Sequence, residues 1–156
     1  MTYIMSKSSS FADEQFKDLN ISGSFIPDTV FVIMSFAKEY NDVFSAIKDE
    51  CIKLRLKASR VDCKAGSGLI LRQILTSIEN SEFIIVDLSD ERPNVYYELG
   101  YAHGVGNGEH DILLVAKQGT QLHFDIAPLS VKFYESTEEL RKIVHANLNE
   151  MIHLTR

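Results

Sequence analysis

Three short runs fix most of what this chain can become. "VFVIMSF" (residues 30–36), "EFIIVDL" (82–88) and "DILLVA" (111–116) are apolar almost throughout. A strand that leaves one face in water alternates apolar with polar residues, so strands written like these belong inside a sheet covered on both faces. Between them the period changes. "NDVFSAIKDECIKLRL" carries Val43, Phe44, Ile47, Cys51 and Leu54 at helical spacing, and "SGLILRQILTSIEN" stacks Ile70, Ile74 and Ile78 on one face behind Ser67 as an N-cap. "KASRVD" reads as a short strand between the two helices.

The second half continues the alternation. Pro93 and Asn94 open a helix that runs to Gly104, where the glycines at 104, 106 and 108 end it. After "DILLVA", a loop through Pro128 leads to a short fifth strand, "SVKFY". A capping box, Ser136 to Glu139, then starts a last helix with Leu140, Ile143, Val144, Leu148, Met151 and Ile152 inward. Strands and helices in this order predict an α/β fold: a doubly wound, flavodoxin-like, five-stranded parallel sheet of order 2-1-3-4-5 with helices on both faces. The domain is expected to span residues 28–156. Residues 1–27, with the serine cluster Ser8 to Ser10 and a weakly amphipathic "FADEQFKDL", read as an N-terminal arm, either loose or docked through Phe11, Phe16 and Leu19.

Composition narrows the partners. A formal net charge of -6 with no lysine-arginine stripe argues against a nucleic acid polymer. The N-terminus lacks the apolar core of a signal peptide, and no run is long enough to span a bilayer, so the expectation is a cytoplasmic protein without a membrane partner. Cys51 and Cys63 fit neither a zinc site nor a redox pair and read as reduced, packed thiols. His103, His110 and His123 are too scattered for a metal cluster, so no metal is expected.

In open α/β sheets, ligands bind beyond the carboxyl ends of the strands, at the switch between strands one and three. That rule selects Ser35 and Phe36 after strand one, Asp62 after strand two, and Asp87 closing strand three. The helix from Asn94 rises from the same edge. Helical spacing puts Asn94, Glu98 and Tyr101 on one face and turns Val95, Leu99 and Ala102 toward the sheet. A carboxylate early in a helix gains about 0.3–1 kcal/mol from the helix dipole wherever it occurs, which is the plain explanation of Glu98. Asp87 at the rim suggests another: two acids sharing a crevice suit cleavage at a sugar's anomeric carbon, one facing the oxocarbenium-like centre and the other managing protons.

"FVIMSF" followed by "AGSGLILRQILTSIENSEFIIVDLSDERPNVYYELGYAHGVG" resembles the nucleoside 2-deoxyribosyltransferase family and the TIR-like nucleotide N-glycosidases grouped with it. The likeness covers roughly residues 30–116, with "NVYYELGYAHG" its most specific part. It implies that Glu98 is the nucleophile that expels the base and forms a glycosyl-enzyme intermediate, that Asp87 is an acidic catalytic position beside base and sugar, and that Asn94 and Ser35-Phe36 contact substrate. Phe36 can stack on a base or pack in the core. Ser67 and Gly68 can offer backbone amides to a phosphate or serve as a plain helix cap. Asp62 and Tyr101 complete the substrate-binding candidates. The implied partner is a small-molecule nucleoside, nucleotide or NAD; no cofactor is implied, and the chain is expected to form a homo-oligomer.

The chain also departs from the family. An aspartate common early in the second helix is replaced by the run Arg72, Gln73, Ile74, so that contact is either missing or supplied from elsewhere, with Asp62 the candidate, and the asparagine that transferases donate across a subunit interface has no secure match, although Asn147 and Asn149 lie in the last helix. A non-catalytic TIR-like module that senses a nucleotide or assembles with partners is the competing expectation. A response-regulator receiver is disfavoured, because "MSFAKEY" supplies no acid pair after strand one. A flavin site is disfavoured because "SFAKEYND" is not a serine- and threonine-rich phosphate loop. The glycines of "GVGNG" follow a helix and form a turn, not a dinucleotide fingerprint.

Overall fold

A computed structural model of the chain describes residues 25–61, 67–90, 92–123 and 125–156. Nearly all of the expected arm, together with Asp62 and Cys63, lies outside these residues. The strands are β1 (Ile26–Ile33), β2 (Lys57–Ser59), β3 (Ser81–Asp87), β4 (Ile112–Lys117) and β5 (Val131–Tyr134). The helices are α1 (Asn41–Lys53), preceded by a 3-10 turn at Lys38–Tyr40, then α2 (Ser67–Asn80), α3 (Pro93–Gly104) and α4 (Thr137–Thr155). All strand pairs are parallel and the order is β2-β1-β3-β4-β5. The fold is the doubly wound, flavodoxin-like sheet that the apolar runs predict.

Strand alternation divides the core into two layers. Val30 and Val32 of β1 and Met34 just after it, with Phe83, Ile85, Leu113 and Val115, pack against α1 and α4. Phe31 and Ile33, with Ile84, Val86, Leu88, Leu114 and Ala116, pack against α2 and α3. Successive side chains of a strand point to opposite faces, so the same apolar run feeds both layers at once. Val95, Leu99 and Ala102 form the sheet-facing stripe of α3, and Leu140, Val144, Leu148 and Met151 that of α4, with Ile143 and Ile152 half-buried beside it. Cys51 is fully buried in the α1 layer, and burial pushes its thiol up to about 12, so it is an inert packing residue.

The local signals at element ends account for the boundaries. Pro93 is the first residue of α3, where its missing N–H has no intrahelical partner to lose. Gly106, at φ 105°, closes that helix by donating its N–H to the carbonyl of His103. Ser136 caps α4 by accepting from the Glu139 N–H, while the Glu139 carboxylate reaches back to the Glu135 N–H. β1 begins at Ile26, before the expected start of the domain, with its pairing to β3 shifted between Ile26 and Val30. Asp28 sits in that irregular stretch at φ 63°, and Pro27 is tolerated there because β2 pairs only from Thr29 onward.

Candidate active site

The carboxyl ends of β1, β3, β4 and β5 meet at one rim, and α3 starts from it. Glu98 lies one turn into α3 and is buried, with only 6% of its surface exposed. Its neighbours along the sequence, Val95, Leu99 and Ala102, belong to the apolar layer under α2 and α3. Burial lifts its carboxyl to about 7, and a hydrogen bond with the Asn94 side chain, one turn earlier, opposes the rise without cancelling it. No ion pair to Glu98 is found among the described residues. A carboxyl in this state is poised to change charge near neutral pH, which is the property general acids and bases share; a nucleophilic role would draw on its ionised fraction.

Asp87 is also buried, at 3% exposure, but its setting is different. One carboxylate oxygen accepts from the Ser89 N–H at 2.8 Å and from the Ser89 hydroxyl; the other accepts from the Tyr134 hydroxyl at 2.7 Å. Ser89 in turn accepts from the Lys117 N–H at 2.7 Å. Desolvation raises the Asp87 carboxyl above its ordinary range despite these bonds. The Tyr134 hydroxyl is pushed up too, by burial first and by the Asp87 charge second. Thus Asp87, Ser89, Lys117 and Tyr134 tie the ends of β3, β4 and β5 together.

The two acids do not face each other across one crevice, as the sequence suggested. Asp87 continues the alternation of Phe83 and Ile85 and, like Tyr134, belongs to the α1 and α4 side of the sheet. Glu98 stands on the α2 and α3 side. The period of two settles the matter: an acid at residue 87 shares a face with residue 85, whereas Val86 and Leu88 face α3.

The other expected residues divide in the same way. Ser35 is buried at the end of β1 and donates to Asp90 at 2.7 Å, while Asp90 also accepts from Arg92 at 2.6 Å. Those two bonds hold the Asp90 carboxyl below its usual range. Phe36 is 37% exposed at the rim rather than packed in the core. Tyr101 shares the Glu98 face but donates its hydroxyl to Glu79 of α2 at 2.8 Å, which ties the two helices. Burial, followed by the bond to Glu79, raises the Tyr101 hydroxyl. Ser67 and Gly68 are the first two residues of α2, and their side chains lie outside what is described. Asp62 is outside the described residues altogether.

Sequence reasoning missed Tyr134, Tyr40 and Lys117, and placed Ser89 at the end of strand three without giving it a role. Tyr40 is buried under the rim, with the Lys117 ammonium 4.6 Å from its ring centroid. Burial and the charges of Asp90 and Asp87 raise its hydroxyl. One signal was available for Tyr134. It closes β5 two strands from Asp87, about 10 Å in strand spacings, and an aromatic phenol is long enough to span the intervening β4. Among the described residues, the cavities of about 350 to 720 Å³ that open on α2, α4 and the strand starts do not include Glu98 in their walls.

Among the described residues there is no group of three or more histidine, cysteine or acidic side chains able to hold a metal, and no helix long and apolar enough to cross a membrane. No family model matches the sequence, and no curated protein matches it. Solved structures do resemble it. A flavo-di-iron protein mutant from Thermotoga maritima superposes with a TM-score of 0.62 at 16% identity over 83% of this chain and 37% of the other. A second flavoprotein from the same organism gives 0.62 at 14%, over 86% and 38%. The CMP N-glycosidase BcmB of Clostridium botulinum gives 0.55 at 14%, over 73% of this chain and 95% of the other. The chain therefore spans little more than a third of either flavoprotein but nearly the whole length of the glycosidase, and at these identities the likeness is one of fold.

Proposed function

We propose that this chain cleaves the N-glycosidic bond of a nucleotide, nucleoside or NAD, with the Glu98 carboxylate attacking C1′ of the sugar. The observation that carries the reading is Glu98 itself: a buried carboxyl at the start of α3, with Asn94 as its polar partner and its titration moved to about 7. Attack by the ionised carboxylate forms a C1′–O bond as the C1′–N bond breaks. The bonding pair leaves with the base, which takes a proton from solvent, and water, giving up a proton to solvent as it attacks, or a second base then displaces Glu98 from the sugar. Burial helps in two ways, by excluding competing water and by making an uncompensated carboxylate a stronger partner for positive charge growing on the sugar.

In this scheme Asp87 is a positioning group. Both of its oxygens are occupied by Ser89 and Tyr134, so its work is to hold the rim loop that leads to α3. Ser35, Phe36, Asp62, Ser67, Gly68, Asn94 and Tyr101 are assigned to substrate binding, with Phe36 exposed at the rim where a base can stack. The small molecule in the name of the CMP N-glycosidase makes a pyrimidine nucleotide the first substrate to try. Self-association to a homo-oligomer belongs to the same proposal.

The flavoprotein likeness raises a flavin as the other ligand of this fold. The segment after β1 does not fit its phosphate: Ser35 is engaged by the Asp90 carboxylate, and Glu39 stands in the following turn. No step is assigned to a flavin. The competing reading is a non-catalytic TIR-like module that senses a nucleotide or assembles with partners. The two readings separate in one experiment. The purified chain is incubated with nucleosides, nucleotides and NAD, with and without a second free base, and free base is measured by chromatography. Release that disappears in Glu98→Ala, with the fold retained, supports the enzyme; binding without release across the panel supports the module.

A further inference from the structure

We infer that Asp90 is a positioning residue for the Glu98 site: tied to Ser35 at the end of β1 and holding Arg92, it fixes where α3 begins and so where Glu98 stands. Asp90 lies in the loop from β3 to α3, and its Oδ2 accepts from the Ser35 hydroxyl at 2.7 Å and from the Arg92 Nε at 2.6 Å. Ser35 is 5% exposed just beyond β1, and its Oγ also accepts from the Ala37 N–H at 3.3 Å, so one end of the tie is anchored in the body of the fold. The other end is the residue that starts the helix. Arg92 is the N-cap of α3, and its carbonyl accepts from the Val95 N–H at 3.0 Å.

A helix start is ordinarily fixed by a capping side chain and favoured by an acid in the first turn. α4 has both; α3 has neither, since Arg92 makes no side-chain cap bond and no acid stands in its first turn. The tie through Asp90 does that work from outside the helix, across 55 residues of sequence between Ser35 and the loop. Ser89 anchors the same loop to β3 and β4 on the other side, through Asp87 and the Lys117 N–H, and Asp90 carries the hold on to the helix. Both of its bonds are to an ionised oxygen, the stronger kind, and its side chain is only 29% exposed, which limits competition from water. Glu98 lies about 9 Å along the helix from Arg92 at 1.5 Å per residue, so a slide or tilt of α3 at its start is passed on to that carboxyl. A misplacement of about 1 Å can cost a reaction about a hundredfold.

Only the catalytic consequence rests on the role proposed for Glu98, so the first measurement needs no turnover. The Glu98 carboxyl is titrated by carbon-13 NMR in the unliganded chain, with Glu98→Gln to assign its signal. Burial and the Asn94 hydrogen bond set that titration and the Asp90 charge has no part in it, so a change after substitution at Asp90 reports where Glu98 stands. Asp90→Ala and Ser35→Ala should each move it by about half a pH unit or more, and the double variant should do no more than either alone. Asp90→Asn, which keeps an acceptor for Ser35, should stay close to the parent. Where the parent releases base, Asp90→Ala should lower kcat at least tenfold and leave KM within about threefold. A Glu98 titration that keeps its parent value in both alanine variants, or a parental kcat in Asp90→Ala, overturns the inference. A parent that releases no base from any substrate defeats the function proposed for Glu98 and leaves the titration to decide the tie by itself.

Discussion

At the scale of single residues, Glu98 sets the pH behaviour. Burial lifts its folded carboxyl to about 7 from an ordinary value of 4.5, so between those limits the folded state holds a proton that the unfolded chain releases. Stability from this group is complete below about pH 4.5, declines as pH rises toward 7 and is flat above, a loss on the order of 3 kcal/mol. Glu98→Gln removes that slope. Denaturant melts should show the variant more stable than the parent at pH 8, by up to about 3 kcal/mol, and close to it at pH 4.5; a parent stability independent of pH across this window would refute the assignment. If Glu98 is the nucleophile, base release should climb with pH through the same interval, because only the ionised form attacks. Tyr134 gives a second handle. Tyr134→Phe leaves one buried oxygen of Asp87 without its donor and should cost about 1–3 kcal/mol, with the deficit widening as pH rises and Asp87 ionises. Equal deficits at pH 4 and pH 8 would mean that the phenol serves only as packing.

At the scale of elements, α3 contains a helical glycine that packing does not require. A Cβ built at Gly100 meets nothing within 4 Å, and the residue is exposed in mid-helix. Gly100→Ala should therefore stabilise the chain by about 0.5–1 kcal/mol, measured as a rise in the denaturation midpoint. Loss of base release alongside that gain would show that the open space is reserved for a ligand. The elements themselves were legible because apolar runs and helical stripes are local: Phe83 to Val86 could be read as a buried strand, and Val95, Leu99 and Ala102 as a sheet-facing stripe, from spacing alone. The irregular start of β1 was not. It depends on Asp28 adopting a left-handed backbone beside the carboxylate of Glu82, a partner 54 residues away. Tyr134 escaped for the same reason, since its importance comes from reaching across β4 to an acid in β3.

At the scale of the whole molecule, the site was only half legible. The topological rule brought Ser35, Asp87 and Glu98 to one rim, but pairing the acids needed to know on which face of the sheet each lies, and that is set by register. The opposite rim shows how register and charge work together. Glu82, buried at the start of β3, accepts from the Asp28 N–H at 2.6 Å and from Arg156 at 2.8 Å, and Arg156 also donates to Asp28 at 2.6 Å. One carboxylate thus joins the start of β1, the start of β3 and the end of α4, the three pieces farthest apart in sequence. Arg156→Ala leaves the Asp28 N–H on Glu82 but strips the buried acid of its cation. Because Arg156 is itself half exposed, solvent replaces part of what is lost, and the expected destabilisation is about 1–2 kcal/mol, read by urea denaturation at pH 7. Hydrogen exchange should quicken first at the C-terminal turn of α4 and the start of β1; a uniform increase across the sheet would show that this tie is one contact among many, not the point that fixes α4 to the fold.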